Sequence, residues 1–187
     1  MPELLIDGPY GAPAQDLFNY EVAALVSAGI GVTPSASLLK AVWFRYMHSS
    51  PMRLKKLYFI WIARTKHEFE WFQSLLSTLE KSIPKEFLEI QIYLTGNLGM
   101  DDIHNIALTD ELMDVDPITE LETRCHFGRP HWNKIFGTIK ATQFNPDQRT
   151  QMGVFYCGPH ALGHVIQKFA QKHSEDKFQF RLHKEHF

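Results

Sequence analysis

Apolar positions along this chain fall into two rhythms. Val22 to Val26 is an unbroken apolar run, and Leu57-Tyr58-Phe59-Ile60-Trp61-Ile62-Ala63 is a longer one, rich in β-branched and aromatic residues. Short runs without polar alternation predict strands buried on both faces. Leu88 to Thr95 alternates and predicts a third strand, closed by Gly96; Met152 to Cys157 predicts a fourth. In a final strand Phe178, Phe180 and Leu182 alternate with Gln179, Arg181 and His183. Between these runs the spacing turns helical. Leu38, Leu39, Val42, Trp43 and Tyr46 mark one helix, ended by His48-Ser49-Ser50-Pro51. Phe69, Phe72, Leu75, Leu76 and Leu79 mark a second that stops before Pro84. Trp132, Ile135, Phe136 and Ile139 mark a third, and Ala161 to Phe169 is a fourth. Strands alternating with helices predict the α/β class: a Rossmann-like open parallel sheet with helices on both faces.

Two stretches lack this order. Leu4-Leu5-Ile6-Asp7 reads as a strand end broken by Gly8-Pro9-Tyr10-Gly11, with a polar loop of small residues through Asn19. From Asn97 to Thr123 the periodicity fades and eight acidic residues gather, among them Asp101, Asp102, Glu111 and Asp116. This predicts a solvated surface insertion.

The chain is organised around EVAALVSAGIGVTP, Glu21 to Pro34. A buried strand runs into a two-glycine turn, then into a helix begun by proline, which suits the first helical turn because its missing N–H costs nothing there. Gly29 and Gly31 allow close backbone approach to a ligand. The free N–H groups and positive dipole end of the helix would face a phosphate. Gly29-x-Gly31-x-x-Pro34 lacks the third glycine of the dinucleotide fingerprint. Taken alone, it is equally a plain strand-to-helix turn.

Composition narrows the classes. The chain has 187 residues, 44% of them hydrophobic and 21% charged, which suits one globular domain. A formal charge of -2 gives no basic face, so nucleic acid is not an expected partner. Two distant cysteines, Cys125 and Cys157, fit a reducing compartment and offer no disulfide framework. No run approaches a membrane span. Met1 directly before a strand-like segment implies a start inside a larger protein. Cys125, His126 and His131 cluster, as do His183 and His186, without structural-zinc spacing.

Open α/β sheets bind ligands at the carboxyl ends of their strands, near the point where strand order reverses. Ser27 to Pro34, Arg64 to His67, Thr95-Gly96 and Cys157-Gly158-Pro159 stand at those ends. At the second strand's end NAD sites usually carry a carboxylate. Here Arg64 and Lys66 stand instead, and a guanidinium can hold a ribose 2′-phosphate, so the sequence leans to NADPH. The alternative is that Arg64 pairs with a surface carboxylate such as Glu68. Arg129, between Gly128 and Pro130, is a second phosphate-clamp candidate or a plain surface arginine. A buried cysteine is ordinarily an inert packing residue. No histidine lies at useful spacing to make Cys157 a nucleophile. Its small, polarisable side chain could instead line the place where a nicotinamide arrives.

These residues also carry a family likeness. AGIGVTP at 28–34, IWIAR at 60–64, HEFEWF at 67–72, YLTG at 93–96, FGRPHW at 127–132, FYCGP at 155–159 and KEHF at 184–187 resemble the C-terminal NADPH-binding half of the NADPH oxidases. These are superoxide-producing flavocytochromes related to ferric reductases and ferredoxin–NADP reductases. DGPYG at 7–11 matches the segment joining their flavin and NADPH lobes. The resemblance implies the ferredoxin–NADP reductase type of NADP-binding domain over residues 21–187, with an insertion at about 97–126. Residues 1–20 would link it to an upstream FAD-binding barrel. Ile30, Gly31, Thr33 and Pro34 would lie along nicotinamide and pyrophosphate, and Arg64 would meet the 2′-phosphate. Thr95 and Arg129 would contact the nucleotide. Cys157-Gly158 would flank the nicotinamide, and Phe187 would lie against the flavin, giving way when nicotinamide arrives. Ser27 stands where many members have glycine, and His186 where asparagine is common.

The implied cofactors are NADPH, FAD held mainly upstream, and heme in a membrane domain. The implied function is hydride transfer from NADPH to FAD, with electrons passing through hemes to dioxygen. The implied partners are those upstream domains and cytosolic activator proteins, and the place is the cytosolic face of a membrane. A ferric-chelate reductase module shares the electron source and differs in the acceptor. A regulatory docking domain working through the acidic insertion, or a non-nucleotide interaction module, are readings of another class.

Overall fold

A computed structural model describes residues 13–96, 115–116 and 118–185. The expected strand end at Leu4–Asp7, the DGPYG segment, most of the acidic stretch, His186 and Phe187 lie outside the described residues. A 3₁₀ helix, Pro13–Asn19, leads into β1, Val22–Ala28. There follow α1 (Val32–Met47), β2 (Lys56–Ala63), α2 (His67–Glu70), α3 (Gln73–Ser82) and β3 (Leu88–Leu94). After the acidic stretch come β4 (His126–Phe127), α4 (Trp132–Gln143), β5 (Thr150–Cys157), α5 (His160–His173) and β6 (Phe178–Glu185).

The six strands form one sheet in the order β4-β3-β2-β1-β5-β6, and every neighbouring pair is parallel. The chain builds outward from β1 through β2, β3 and β4. It then crosses back to lay β5 against the other side of β1. Strand order therefore reverses between β1 and β5, where Ser27 is level with Cys157.

The two faces of the sheet are two cores, and the strand period of 2 sorts side chains between them. Ala23 and Leu25 of β1 join Leu57, Phe59 and Trp61 of β2 beneath α1 and α3. Ala24 and Val26 join Tyr58 and Ile60 on the face under α4 and α5. The unbroken apolar runs are thus buried on both sides. β3 is covered on one face only: Leu88, Ile90, Ile92 and Leu94 are buried, while Glu89, Gln91 and Tyr93 are half-exposed. Full burial of each large apolar side chain contributes about 1.5–3 kcal/mol. Three large buried rings meet in one of these cores: Phe69 and Phe72 stand with ring centroids 4.8 and 5.4 Å from that of Trp61.

That trio explains one departure from the sequence reading. The single helix expected through Phe69 and Leu79 is two, broken at Trp71-Phe72. At the break the Phe72 N–H bonds to the Phe69 carbonyl, three residues back. The tighter turn lets both phenyl rings reach Trp61. A second departure is β4, whose two residues are too few to show a period. A third is Pro13–Asn19, expected as a polar loop: it is helical and carries the fully buried Leu17.

The fourth departure concerns the acidic stretch. Its described end is packed rather than solvated. Asp116, Thr119, Leu121 and Cys125 are all buried. One Asp116 oxygen accepts the N–H groups of Ile118 and Thr119 and the Thr119 hydroxyl, and the other accepts the Cys125 N–H. Glu80 of α3 accepts the N–H groups of Glu122 and Thr123. Four donors on one buried carboxylate satisfy it without a counter-charge. They fold the chain back onto β3 so that β4 can pair.

Candidate functional site

Parallel strands end on one edge, and register fixes what stands there. Ala28 is level with Ile62, Ala63 with Leu94, and Leu94 with Phe127. Arg129, Thr95, Arg64, the Gly29–Gly31 turn and Cys157-Gly158 therefore follow one another along the carboxyl edge of the sheet. At about 4.8 Å per strand, the row from β4 to β5 spans about 19 Å, room for an extended dinucleotide.

The turn after β1 is built by its glycines. Gly29 has φ +56°, a left-handed conformation that disfavours any side chain. Gly31 is buried, and a Cβ there would stand 2.5 Å from the Cys157 carbonyl oxygen and 3.1 Å from the Gly158 nitrogen. Only glycine lets the β1 turn lie against the end of β5. The Thr33 hydroxyl donates to the Ile30 carbonyl at 2.9 Å and closes the turn. The Ser27 and Ser35 hydroxyls, both buried, share a hydrogen bond of 2.7 Å that ties β1 to α1. The Tyr156 hydroxyl donates to the Pro159 carbonyl and braces the loop after β5. The sequence pattern singles out neither this tyrosine nor the serine pair as site-builders, because only the fold makes them neighbours.

The electrostatics suit an anion. α1 is 16 residues long, has no side-chain cap and carries no acidic residue in its first turn. Its positive dipole end would face a negatively charged ligand, although within the first turn the Val32 N–H already bonds to the Gly29 carbonyl and Pro34 has no N–H. Pro34 is the third residue of that helix rather than the first, still within the first turn, where its missing N–H breaks no helical hydrogen bond. Ile30 is 83% exposed at the tip of the turn, which gives the crevice an apolar lip. Pro34 and Ser35 line a narrow cleft with Tyr156, Cys157, His183 and Glu185.

Arg64 is exposed at the end of β2, and among the described residues no ion pair or hydrogen bond engages its guanidinium. Glu68 does not pair with it. One Glu68 oxygen accepts the main-chain N–H groups of Arg64 and Thr65, at 3.1 and 3.3 Å. The Thr95 hydroxyl donates to the Ala63 carbonyl at 3.0 Å and so sits beside Arg64. Arg129 is exposed, one residue past Gly128, whose N–H bonds to the Leu94 carbonyl. It stands at the mouth of a larger groove between β3 and α4, walled by Tyr58, Gln91, Tyr93 and His126. That groove does not include the β1 turn.

Cys157 is 4% exposed, and burial, with the Glu185 carboxylate second, pushes its thiol up to about 11. Cys125 is pushed up to about 12 by burial and then by Asp116. Both thiols are protonated at neutral pH, which makes them packing groups rather than nucleophiles. Among the described residues no group of three or more metal-ligating side chains converges. Nor is any described helix long and apolar enough to cross a membrane. Phe187, the other expected contact, lies outside the described residues.

Comparison with known proteins agrees with this geometry. The model of the ferric reductase NAD binding domain matches residues 20–171. Across the whole chain, 37% of residues are identical to NADPH oxidase 1 of Mus musculus, 32% of whose length is covered. NADPH oxidase 3 of Homo sapiens is 40% identical over 93% of the chain and 30% of its own length. A superoxide-generating NADPH oxidase heavy chain of Dictyostelium discoideum is 38% identical over the whole chain and 35% of its own length. The chain thus spans about one third of these curated relatives. Among solved structures, the flavohemoglobin of Malassezia yamatoensis, which holds FAD and heme, shares the fold. It matches with a TM-score of 0.54 at 16% identity, over 94% of this chain and 36% of that one. With most of its length inside one family model and its glycine turn at the reversal of strand order, this chain belongs to the ferric reductase NAD-binding domain family.

Proposed function

We propose that this chain is the NADPH-binding part of the dehydrogenase region of a transmembrane NADPH oxidase. In the whole protein, hydride would pass from NADPH to FAD, and electrons through hemes to dioxygen, giving superoxide. The observation that carries the reading is the start of α1, free of side-chain cap and carboxylate and set by Gly31 against the end of β5 where strand order reverses. The names of the relatives point the same way.

The bound nucleotide supplies the hydride; the protein binds and aims it. In this reading the positive N-terminal end of α1 holds the pyrophosphate, with Gly29 and Gly31 admitting it to the backbone. Ile30 and Pro34 wall the nicotinamide on one side and Cys157-Gly158 on the other. Arg64 takes the ribose 2′-phosphate, and Thr95 and Arg129 meet the adenosine end. No side chain is needed as acid or base, because hydride transfer moves no separate proton here. FAD would be held mainly by an upstream barrel, reached through residues 1–20, and Phe187 would cover the flavin until nicotinamide displaces it. Heme-bearing membrane helices and cytosolic activators complete the partners, with this domain on the cytosolic side. A ferric-chelate reductase is the second reading, favoured by the description of the matching family.

Arg64→Ala tests the phosphate clamp in the full-length protein. A charge-assisted hydrogen bond contributes about 1.5–3 kcal/mol, so the preference for NADPH over NADH should narrow by about 13- to 160-fold. Unchanged selectivity would defeat the assignment. Superoxide formation against ferric-chelate reduction, measured on the same preparation, separates the two acceptors.

A further inference from the structure

Glu68 stands four residues beyond Arg64, and as a surface carboxylate it is the natural partner for the guanidinium. The structure turns it the other way. Its Oε1 accepts the N–H groups of Arg64 and Thr65 at the corner where the chain leaves β2. Its Oε2 is buried without a hydrogen-bond partner, 3.9 Å from where a Gly29 Cβ would stand. The carboxylate therefore wedges between the β1 turn and the end of β2. Phe69, the next residue, is 3% exposed and packed edge-on against Trp61, which fixes the helix that delivers it.

Two consequences follow for Arg64. Two main-chain bonds on one oxygen fix the backbone from which its side chain springs. A carboxylate committed to amides also leaves the guanidinium available for an anion. A long, freely rotating arginine on a loose corner would lose affinity through the cost of ordering it on binding.

We propose that Glu68 is a positioning residue that fixes Arg64 for the phosphate monoester on the adenosine ribose, and so sets the discrimination between NADPH and NADH. The proposal rests on the reading of Arg64 given above. Ordering one such side chain costs about 0.5–1.5 kcal/mol, or roughly 2- to 13-fold in affinity.

The test measures NADPH and NADH dissociation constants on the full-length protein. Glu68→Ala should weaken NADPH by about 2- to 13-fold and leave NADH unchanged, narrowing the ratio. Glu68→Asp keeps the charge but is one methylene short of the two amides, and should behave as Glu68→Ala. Glu68→Gln keeps an amide oxygen for the same N–H groups and should hold the wild-type ratio. In an Arg64→Ala background, Glu68→Ala should change the ratio no further. The proposal is overturned if Glu68→Ala or Glu68→Asp keeps the ratio. It is overturned equally if both nucleotides weaken alike, or if the effect persists without Arg64. If Arg64→Ala alone leaves the ratio unchanged, the phosphate clamp itself falls, and this inference with it.

Discussion

Replacing Gly31 with alanine adds one methyl group where the β1 turn meets the end of β5. That methyl would stand 2.5 Å from the Cys157 oxygen and 2.8 Å from its carbonyl carbon, whereas real Cβ atoms essentially never come within 3.0 Å. The colliding atoms are main chain, inside a strand paired on both sides, so no rotamer change relieves them. Either the start of α1 lifts or the β1–β5 crevice opens, by at least about 0.5 Å. Overpacking of this kind costs about 1–3 kcal/mol. For a chain of this size that lowers Tm by about 2–12 °C. The same shift moves the N-terminal end of α1 that would face the pyrophosphate, so NADPH affinity in the full-length protein should fall by about tenfold or more. Gly137→Ala in α4 is the matched control. Its nearest neighbour would be the His173 ring at 3.4 Å, and gaining alanine in a helix stabilises by about 0.5–1 kcal/mol. Thermal unfolding of both variants, with nucleotide titration, reads the two effects separately. A Gly31→Ala protein with wild-type Tm and wild-type NADPH affinity would refute the close-approach argument. Lost stability with unchanged affinity would confine Gly31 to packing.

The buried thiols predict an alkaline loss of stability. Cys157 titrates near 9.0 when free and at about 11 when folded, so above pH 9 only the unfolded chain releases the proton. Stability should fall through that window by about 1.4 kcal/mol per pH unit for this group, and Cys157→Ala should remove that share of the fall; denaturant titrations showing the same loss of stability between about pH 9 and 10.5 in both proteins would contradict it. Removing Phe187 from the full-length protein should alter the rate at which NADPH bleaches the flavin before steady state. Identical traces would dismiss the gate.

What the sequence makes legible is the part of the fold governed by local periodicity. Val22–Val26 and Leu57–Ala63 read as strands buried on both faces because nothing polar interrupts them, and both cores confirm it. The carboxyl-edge row follows from that alone, since parallel strands must end together. Where the structure departs from the pattern, long-range contact overrules local spacing. Trp61 draws in Phe69 and Phe72 and breaks a helix that its own spacing would have kept whole. Asp116 looks like one more surface acid among eight. Its carboxylate is nevertheless the hub of a buried turn, because the donors that satisfy it come from residues up to nine positions away.

Glu68 shows the same limit at the site. Charge alone predicts that a glutamate near an arginine will pair with it. An exposed pair is worth little, at most about 1 kcal/mol, whereas unpaired amides at a strand end have stronger need of an acceptor. The carboxylate therefore serves the backbone, and among the described residues the guanidinium stays unengaged. Composition could count the charges at this edge of the sheet. Only the path of the chain through Trp61, Phe69 and the Gly29 turn decides which of them remain available to bind.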